Sequence, residues 1–317
     1  MEYIQNNQNQ PNQLTGGKLN FREKIQKEIL KWGEFVKFSH TLFALPFALA
    51  SMAVAARENR GWPGWRVFIL VLISMTLART AAMSFNRIMD RQFDALNPRT
   101  KDRHIPKGEI SLFSAWMLCL VSAGGFVGVT YWINPLCFYL SPVALFLVGF
   151  YSLTKRFTDY THYFLGLALA VAPVGAWLAV TGSFAFSPIL IAVIVILWLV
   201  GLDIIYALQD ETFDREHGLK SLPVRFGAQN ALAYAFIVHM IMWGVMVFFG
   251  FLSGFRVAYS AGLLVILVLL IVEHWLARKR SLNWIQIAFF RLNVLISLVY
   301  MVVTIAEVAF PGFRQVN

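Results

Sequence analysis

Two pairs of aspartates have the spacing in this sequence that most clearly indicates chemistry. Asp90 and Asp94 lie four residues apart after a long apolar run, and Asn86 lies four residues before Asp90. Asp210 and Asp214 repeat the same spacing much later in the chain. Residues four apart share one face of a helix, and like charges placed there repel each other. We therefore expect each pair to need a partner of opposite charge.

Two kinds of partner are compatible with such a pair. One is a solvated network with nearby arginines, which for the first pair are Arg87, Arg91 and Arg103. The other is Mg²⁺, which prefers carboxylate oxygens and often bridges a protein to a substrate phosphate. Because the pairs occupy matching places in two parts of the chain, we favour Mg²⁺ holding a diphosphate between them. Such a site would stabilise a departing diphosphate as its negative charge grows.

Long apolar segments are the elements that must position these residues. The chain has 317 residues, of which 58% are apolar and 14% charged, whereas soluble domains carry roughly 25% charged residues. Apolar runs of about 20 residues are the signature of transmembrane helices. Nine such runs are found, at approximately 38–57, 66–86, 112–133, 135–153, 163–180, 187–209, 230–252, 257–277 and 284–309. The sequence thus predicts an all-α polytopic membrane protein.

The distribution of basic residues predicts how these helices are oriented. The net charge is +10, and the basic clusters lie in the N-terminal arm and in every second connection between the runs. The connections after the third and the fifth run contain no Lys or Arg. The positive-inside rule then puts the N-terminus and both aspartate pairs on the cytoplasmic side and the C-terminus outside. Arg57, Arg60 and Arg66 in the first outer connection are a mild exception. The basic residues lie in separate connections between the spans and do not form one face, which argues against a nucleic-acid-binding protein.

The chain is interpreted as one membrane domain behind a polar segment. Residues 1–20 are rich in Asn and Gln and are expected to be disordered, and apolar residues at helical spacing over 21–36 predict an interfacial helix. The domain, 21–317, contains a possible pseudo-repeat of about 38–153 and 163–277 followed by the last helix. Each half places an aspartate-rich connection after its second run, and such repeats often build a shared central site.

Arg79 is the most informative charge inside a predicted span. An arginine at that depth is costly and usually faces a cavity with a partner. It lies about two helical turns deeper than Asn86 on the same face. One interpretation is a structural ion pair with Glu34 or Glu307. The other is an anchor for an anion, either a carboxylate of the acceptor or a diphosphate.

The motifs resemble those of the UbiA superfamily of intramembrane aromatic prenyltransferases. The first motif is Asn86-x-x-x-Asp90-x-x-x-Asp94, followed by "NPRTKDRHIPKG". The residues that match the second motif are Asp203, Tyr206, Ala207, Gln209, Asp210 and Asp214, before "GLKSLP". Between the two motifs, Tyr151 and Lys155 match a Tyr-x-x-x-Lys loop. The resemblance covers all nine runs.

This resemblance implies nine transmembrane helices around a central cavity that is capped on the cytoplasmic side by the two aspartate-rich loops. It also implies Mg²⁺ as cofactor. The expected metal ligands are Asn86, Asp90, Asp94, Asp210 and Asp214, and the four aspartates are the expected catalytic residues. The expected substrate-binding residues are Arg79, Asn86, Tyr151, Lys155, Asp203 and Tyr206.

The implied reaction is transfer of a polyprenyl group from polyprenyl diphosphate to the ring of an aromatic acid. The expected acceptor is 4-hydroxybenzoate, in ubiquinone biosynthesis at the bacterial cytoplasmic (inner) membrane, with membrane lipid around the protein and no obligate protein partner. "RHIPKG" stands where many members have Arg-Pro-Leu, which leaves a dihydroxynaphthoate acceptor in menaquinone biosynthesis open. A prenylated haem, chlorophyll or glycerol phosphate would be a related product.

A transporter is the alternative from a different class, because transporters also place charges within discontinuous helices. Against this alternative, the acidic residues gather at one membrane face and not at the midplane. The group that accepts the ring proton stays open.

Overall fold

The computed structural model describes residues 20–37, 41–59, 61–278 and 287–310, and within these ranges the protein contains helices and no strands. The helices are α1 (Phe21–Phe35), α2 (Thr41–Glu58), α3 (Trp65–Leu96), α4 (Leu112–Ile133), α5 (Pro135–Thr154), α6 (Thr161–Thr181), α7 (Phe186–Ala207), α8 (Glu211–Glu216), α9 (Leu222–Leu252), α10 (Val257–Ala277) and α11 (Asn293–Ala309), the last preceded by a π-helical segment, Ile287–Leu292. The predicted all-α fold is confirmed.

Eight helices of the described chain are long and apolar enough to cross a membrane. They are α3 to α7, α9, α10 and the segment Phe290–Ala309 that contains α11. The first predicted run corresponds to α2, and it begins in residues 38–40, which lie outside the described ranges. The protein is therefore a multi-pass membrane protein, and the count of nine spans stays a prediction.

The amphipathic segment before the first run forms α1, as its spacing predicts. The Asn20 side chain accepts a hydrogen bond from the Arg22 amide at 2.9 Å, and Glu23 accepts one from the Asn20 amide at 2.8 Å. These two bonds satisfy amides that a helix N-terminus otherwise leaves without partners. Ile29 is exposed, while Phe35 at the other end of α1 is buried. The polar segment predicted to be disordered lies outside the described residues, apart from Asn20.

Helix α7 forms the centre of the bundle and packs against α6 and α9. It has the highest mean hydropathy of the membrane-crossing helices, and a helix that is apolar on all sides is a buried one. Trp198 on α7 is completely buried, and its indole donates to the Asn293 side chain of α11 at 2.7 Å. Helix α2 packs against α6 and α11.

The two aspartate pairs are carried by different kinds of helix. Helix α3 continues to Leu96, ten residues beyond the end of the apolar run. A fall in hydropathy indicates where a membrane span ends, and the helix itself can continue past that point. It therefore carries Asp90 and Asp94 without interruption. Helix α7 ends at Ala207, and a turn leads into the six-residue helix α8, which contains Asp214.

Candidate active site

A polar cavity of about 180 Å³ lies where α3, α5 and α7 end and α8 begins. Nine of the ten predicted site residues line it, namely Asn86, Asp90, Asp94, Tyr151, Lys155, Asp203, Tyr206, Asp210 and Asp214. The tenth, Arg79, lines a neighbouring apolar cavity. The fold therefore brings together motifs that are more than 100 residues apart in sequence.

The first aspartate pair is held by its own helix and by the loop that follows it. Asn86 donates a side-chain hydrogen bond to Asp90 at 2.8 Å, which is the contact expected of residues four apart on a helix. Arg103 donates to Asp94 Oδ1 at 2.5 Å. Asp94 Oδ2 is buried and has no hydrogen-bond partner among the described residues.

In the second pair, Asp210 has the larger number of partners. Arg99 donates two hydrogen bonds to Asp210, from Nε to Oδ1 at 2.9 Å and from Nη2 to Oδ2. The Asn97 side chain also donates to Asp210 Oδ1, at 3.0 Å. Burial acts to raise the pKa of Asp210, but the hydrogen bonds and charge of Arg99, together with Lys155 and Asn97, outweigh it and hold that pKa below its ordinary value. Asp210 is therefore an anion tied to the loop that follows the first pair.

Asp214, the other member of the second pair, is less fully satisfied. Its side chain is 3% exposed, and Lys155 Nζ lies 3.5 Å from its Oδ2. That oxygen is buried and accepts no hydrogen bond from any described residue. Burial raises the pKa of the Asp214 carboxyl. Burial acts in the opposite direction on Lys155, but Asp214 and the neighbouring carboxylates outweigh it and raise the Lys155 pKa.

Arg99 and Arg103 line the polar cavity but were not among the predicted site residues. Arg103 was weighed as a structural partner of the first pair, and that contact exists, whereas Arg87 and Arg91 donate to backbone carbonyls instead. Arg99 also donates to the Tyr206 hydroxyl at 2.9 Å. The signal for both arginines was the "NPRTKDR" segment, quoted above for the resemblance.

The second cavity is apolar, has a volume of about 420 Å³, and lies between α3, α5 and α6. Tyr151 and Leu165 line both cavities, so the two adjoin each other. Among the described residues, Arg79 is the one charged side chain in its lining. Val143 and Leu167, which also line it, are more than one third exposed on the surface of the bundle. A hydrocarbon chain fits the chemistry of this cavity.

Arg79 makes neither of the ion pairs weighed for it. Glu307 accepts a hydrogen bond from the Tyr259 amide at 3.0 Å, and Glu34 lies 3.9 Å from His104. The Arg79 guanidinium instead donates from Nη2 to the Lys37 carbonyl at 3.3 Å, while its Nε is buried without a partner in the described chain. An arginine with an unused donor in an apolar cavity supports the anion-anchor interpretation.

The donor set of the polar cavity fits Mg²⁺ in chemistry. No group of three or more acidic, His or Cys side chains within the described ranges is already arranged to hold a metal ion. Each aspartate pair nevertheless keeps one buried carboxylate oxygen without a hydrogen bond, on Asp94 and on Asp214. Buried carboxylate oxygens without a hydrogen bond are costly, and carboxylate oxygens are the ligands that Mg²⁺ prefers.

Comparison with known proteins places these features in a family context. Residues 44–295 match the model of the UbiA prenyltransferase family. A 4-hydroxybenzoate octaprenyltransferase of Vibrio campbellii is 30% identical over 243 residues, which cover 77% of this chain and 84% of that relative.

Solved structures show the same fold. The apo structure of a UbiA homolog from Aeropyrum pernix K1 aligns with a TM-score of 0.77 at 27% identity, covering 85% of this chain and 98% of that one. A UbiA homolog from Archaeoglobus fulgidus bound to GPP and Mg²⁺ aligns with a TM-score of 0.65 at 21% identity, covering 86% of this chain and 99% of that one.

Proposed function

The chain belongs to the UbiA prenyltransferase family and is a prenyltransferase, and from that premise we propose that it transfers a polyprenyl group from polyprenyl diphosphate to the ring of 4-hydroxybenzoate. The observation that carries this proposal is the junction of the two cavities. A polar cavity lined by both aspartate pairs adjoins an apolar cavity through Tyr151 and Leu165. A diphosphate ester of a long hydrocarbon has this same division into an anionic end and an apolar end.

The five proposed metal ligands are Asn86, Asp90, Asp94, Asp210 and Asp214. The buried oxygens of Asp94 and Asp214 that accept no hydrogen bond support this assignment, and the Archaeoglobus fulgidus homolog bound to GPP and Mg²⁺ supports Mg²⁺ as the ion. When bound, Mg²⁺ would supply positive charge that neutralises the diphosphate.

Cationic side chains of the protein would bind the remaining phosphate oxygens. Arg99, Arg103 and Lys155 all line the polar cavity, each beside one of the aspartates. A guanidinium can contact a phosphate with two nitrogens, whereas an ammonium acts as a point charge. These three cations would stabilise the negative charge that grows on the leaving diphosphate.

The acceptor would sit at the junction of the cavities. Its carboxylate would bind Arg79, whose Nε is free of partners in the described chain, and its ring would lie near Tyr151. The carbon–oxygen bond of the diphosphate ester breaks and diphosphate leaves with the electron pair. The ring carbon ortho to the hydroxyl then bonds to the prenyl carbon, and loss of the ring proton restores aromaticity.

The proposed setting is ubiquinone biosynthesis at the bacterial cytoplasmic membrane, with the N-terminus and both aspartate pairs on the cytoplasmic side. The alternation of basic connections supports this orientation. Single cysteines at positions 95, 215, 134 and 183 can be probed with an impermeant thiol reagent in intact cells. Labelling from outside at 95 or 215 would contradict the orientation.

A panel of acceptors tests the proposed function. Purified protein in lipid vesicles is incubated with Mg²⁺, radiolabelled polyprenyl diphosphate and either 4-hydroxybenzoate, a dihydroxynaphthoate or a non-phenolic aromatic acid. We expect a labelled, lipid-soluble product with 4-hydroxybenzoate and none with the non-phenolic acid. Preference for the dihydroxynaphthoate would move the protein to menaquinone biosynthesis, and absence of product with every acceptor would contradict the proposal.

A further inference from the structure

A histidine that none of the sequence motifs includes is bonded to one of the cavity carboxylates. His162 lies in the first turn of α6 and is completely buried. Its Nδ1 is 2.6 Å from Oδ2 of Asp203 on α7. Its Nε2 is 3.3 Å from the backbone nitrogen of Leu222, the first residue of α9. The imidazole therefore joins three helices at the edge of the polar cavity.

The two contacts fix which nitrogen of His162 carries the proton. A backbone N–H can only donate, so Nε2 must accept from Leu222 and be unprotonated. Nδ1 then carries the hydrogen and donates it to Asp203. A doubly protonated ring would place two hydrogens between Nε2 and the Leu222 nitrogen. The two contacts together assign His162 the neutral tautomer with its hydrogen on Nδ1, which donates one hydrogen bond to a carboxylate.

Asp203 differs from three of the other four carboxylates that line the polar cavity. Asp94, Asp210 and Asp214 are at most 8% exposed, and each lies within 4 Å of a cationic side chain. The Asp203 side chain is 18% exposed, and its one hydrogen bond within the described chain comes from the neutral His162. Its Oδ1 is accordingly available to a bound molecule.

We propose that His162 is a positioning residue that holds Asp203 so that Asp203 Oδ1 takes the proton of the acceptor ring. This inference rests on the proposed function. Once the ring carbon has bonded to the prenyl carbon, its C–H electron pair returns to the ring and the proton goes to Asp203. The product is a neutral carboxylic acid at Asp203, and the proton leaves for water through the polar cavity. His162 stays neutral throughout and keeps one oxygen of Asp203 bonded.

The two bonds of His162 allow its roles to be separated by substitution. The amide nitrogen of an asparagine occupies the place of Nδ1, so His162→Asn keeps a donor for Asp203 and loses the acceptor for Leu222. The amide oxygen of a glutamine reaches the place of Nε2, so His162→Gln keeps the acceptor and loses the donor. His239→Gln is the matched control, because His239 is also completely buried and lines neither cavity.

The experiment measures kcat, both KM values and the isotope effect of an acceptor deuterated on its ring. In His162→Gln we expect kcat to fall roughly 10- to 100-fold, because a carboxylate without its donor is a poorly oriented base. Both KM values should stay within about twofold, as is typical of an interaction needed only in the transition state. The ring-deuterium isotope effect should rise above that of the wild type, since proton removal becomes the slow step.

His162→Asn and the control are expected to behave differently. His162→Asn should keep a kcat within about threefold of wild type and lose thermal stability, because the α9 amide loses its cap. His239→Gln should leave kcat per folded molecule and the isotope effect unchanged. Asp203→Asn, which retains an acceptor for His162, should lose at least as much kcat as His162→Gln. Adding His162→Gln to Asp203→Asn should cost no more, since residues that act as a unit are non-additive.

Two results would overturn the inference. One is an unchanged kcat and isotope effect in folded His162→Gln, and the other is a full additional loss when it is combined with Asp203→Asn. A wild-type protein that prenylates no aromatic acid would instead overturn the proposed function, and the inference would fall with it. The wild-type control run beside each variant tells these cases apart.

Discussion

The two aspartate pairs share their spacing but not their supporting structure. Asp90 and Asp94 lie on the uninterrupted helix α3. Asp210 precedes the first residue of the short helix α8, in which Asp214 lies. The Asp214 amide nevertheless donates to the Asp210 carbonyl at 2.7 Å, as in one turn of a helix. A single helical turn is thus sufficient to present two carboxylates on one side.

The partners of the two pairs differ as well. Asp90 is bonded by Asn86 of its own helix, whereas Asp210 is bonded by Arg99, which is 111 residues away. The loop after α3 supplies cations to both pairs, since Arg103 contacts Asp94. In each pair the second aspartate keeps one buried oxygen without a hydrogen bond. Two unlike scaffolds therefore each present a buried carboxylate oxygen that accepts no hydrogen bond, which supports the proposal that the pairs form one joint site.

The largest expected effect comes from removing those second aspartates. We expect Asp94→Ala and Asp214→Ala each to lower turnover at least about 100-fold, because each removes part of a metal-based charge stabilisation worth several kcal/mol. Asp90→Ala and Asp210→Ala should have comparable effects. Asp102→Ala is the control, since the Asp102 side chain is 68% exposed in the loop after α3.

Turnover is measured on folded protein quantified in the membrane. A large loss of turnover in the variants of one pair, with full turnover in the variants of the other, would mean that the pairs do not form one site.

Substitution of Arg79 tests a difference between the two predicted halves of the chain. The residue seven positions before Asn86 is Arg79, whereas the residue seven positions before Tyr206 is Leu199, which is buried in the core. If Arg79 anchors the acceptor carboxylate, Arg79→Lys should raise the acceptor KM about 10- to 150-fold, since a charge-assisted hydrogen bond contributes roughly 1.5–3 kcal/mol. The KM for the prenyl donor should change little.

Steady-state kinetics with both substrates varied separate the possible roles of Arg79. A selective effect on the donor would assign Arg79 to the diphosphate instead. Loss of folded yield with normal kinetics would make it structural.

The two loop arginines are expected to differ by a smaller factor. Arg99 contacts Asp210 with two nitrogens and also bonds Tyr206, whereas Arg103 makes one hydrogen bond to Asp94. Lysine cannot reproduce a two-pronged contact, so Arg99→Lys should lower kcat/KM for the prenyl donor about tenfold and Arg103→Lys by less. Equal losses of kcat/KM in the two variants would show that the two-nitrogen contact of Arg99 with Asp210 contributes no more than the single contact of Arg103.

The residue pattern and the resemblance predicted the helices and nine of the residues that line the polar cavity. Apolar run length predicted the helices, and the four-residue spacing predicted that Asn86 and Asp90 share one helical face, as their hydrogen bond shows. The resemblance supplied Lys155 and Tyr151, which no periodicity could have linked to the aspartates.

Contacts between distant parts of the chain could not be predicted in this way. Arg99 meets Asp210 across 111 residues and His162 meets Asp203 across 41, and neither separation follows a helical repeat. A lone histidine at the start of an apolar helix resembles a packed core residue until its two partners are known. The apolar run ends ten residues before α3 does, since hydropathy indicates where the membrane ends and a helix can continue beyond it.

The central claim is that both aspartate pairs act together on one Mg²⁺-bound diphosphate. The most direct measurement is the rate of prenyl transfer to 4-hydroxybenzoate against Mg²⁺ concentration, after EDTA treatment, in wild type, Asp94→Asn and Asp214→Asn. We predict no transfer in EDTA, full recovery with Mg²⁺ in the wild type, and a much higher Mg²⁺ requirement in both variants. Full activity in EDTA, or an unchanged Mg²⁺ requirement in either variant, would contradict the claim.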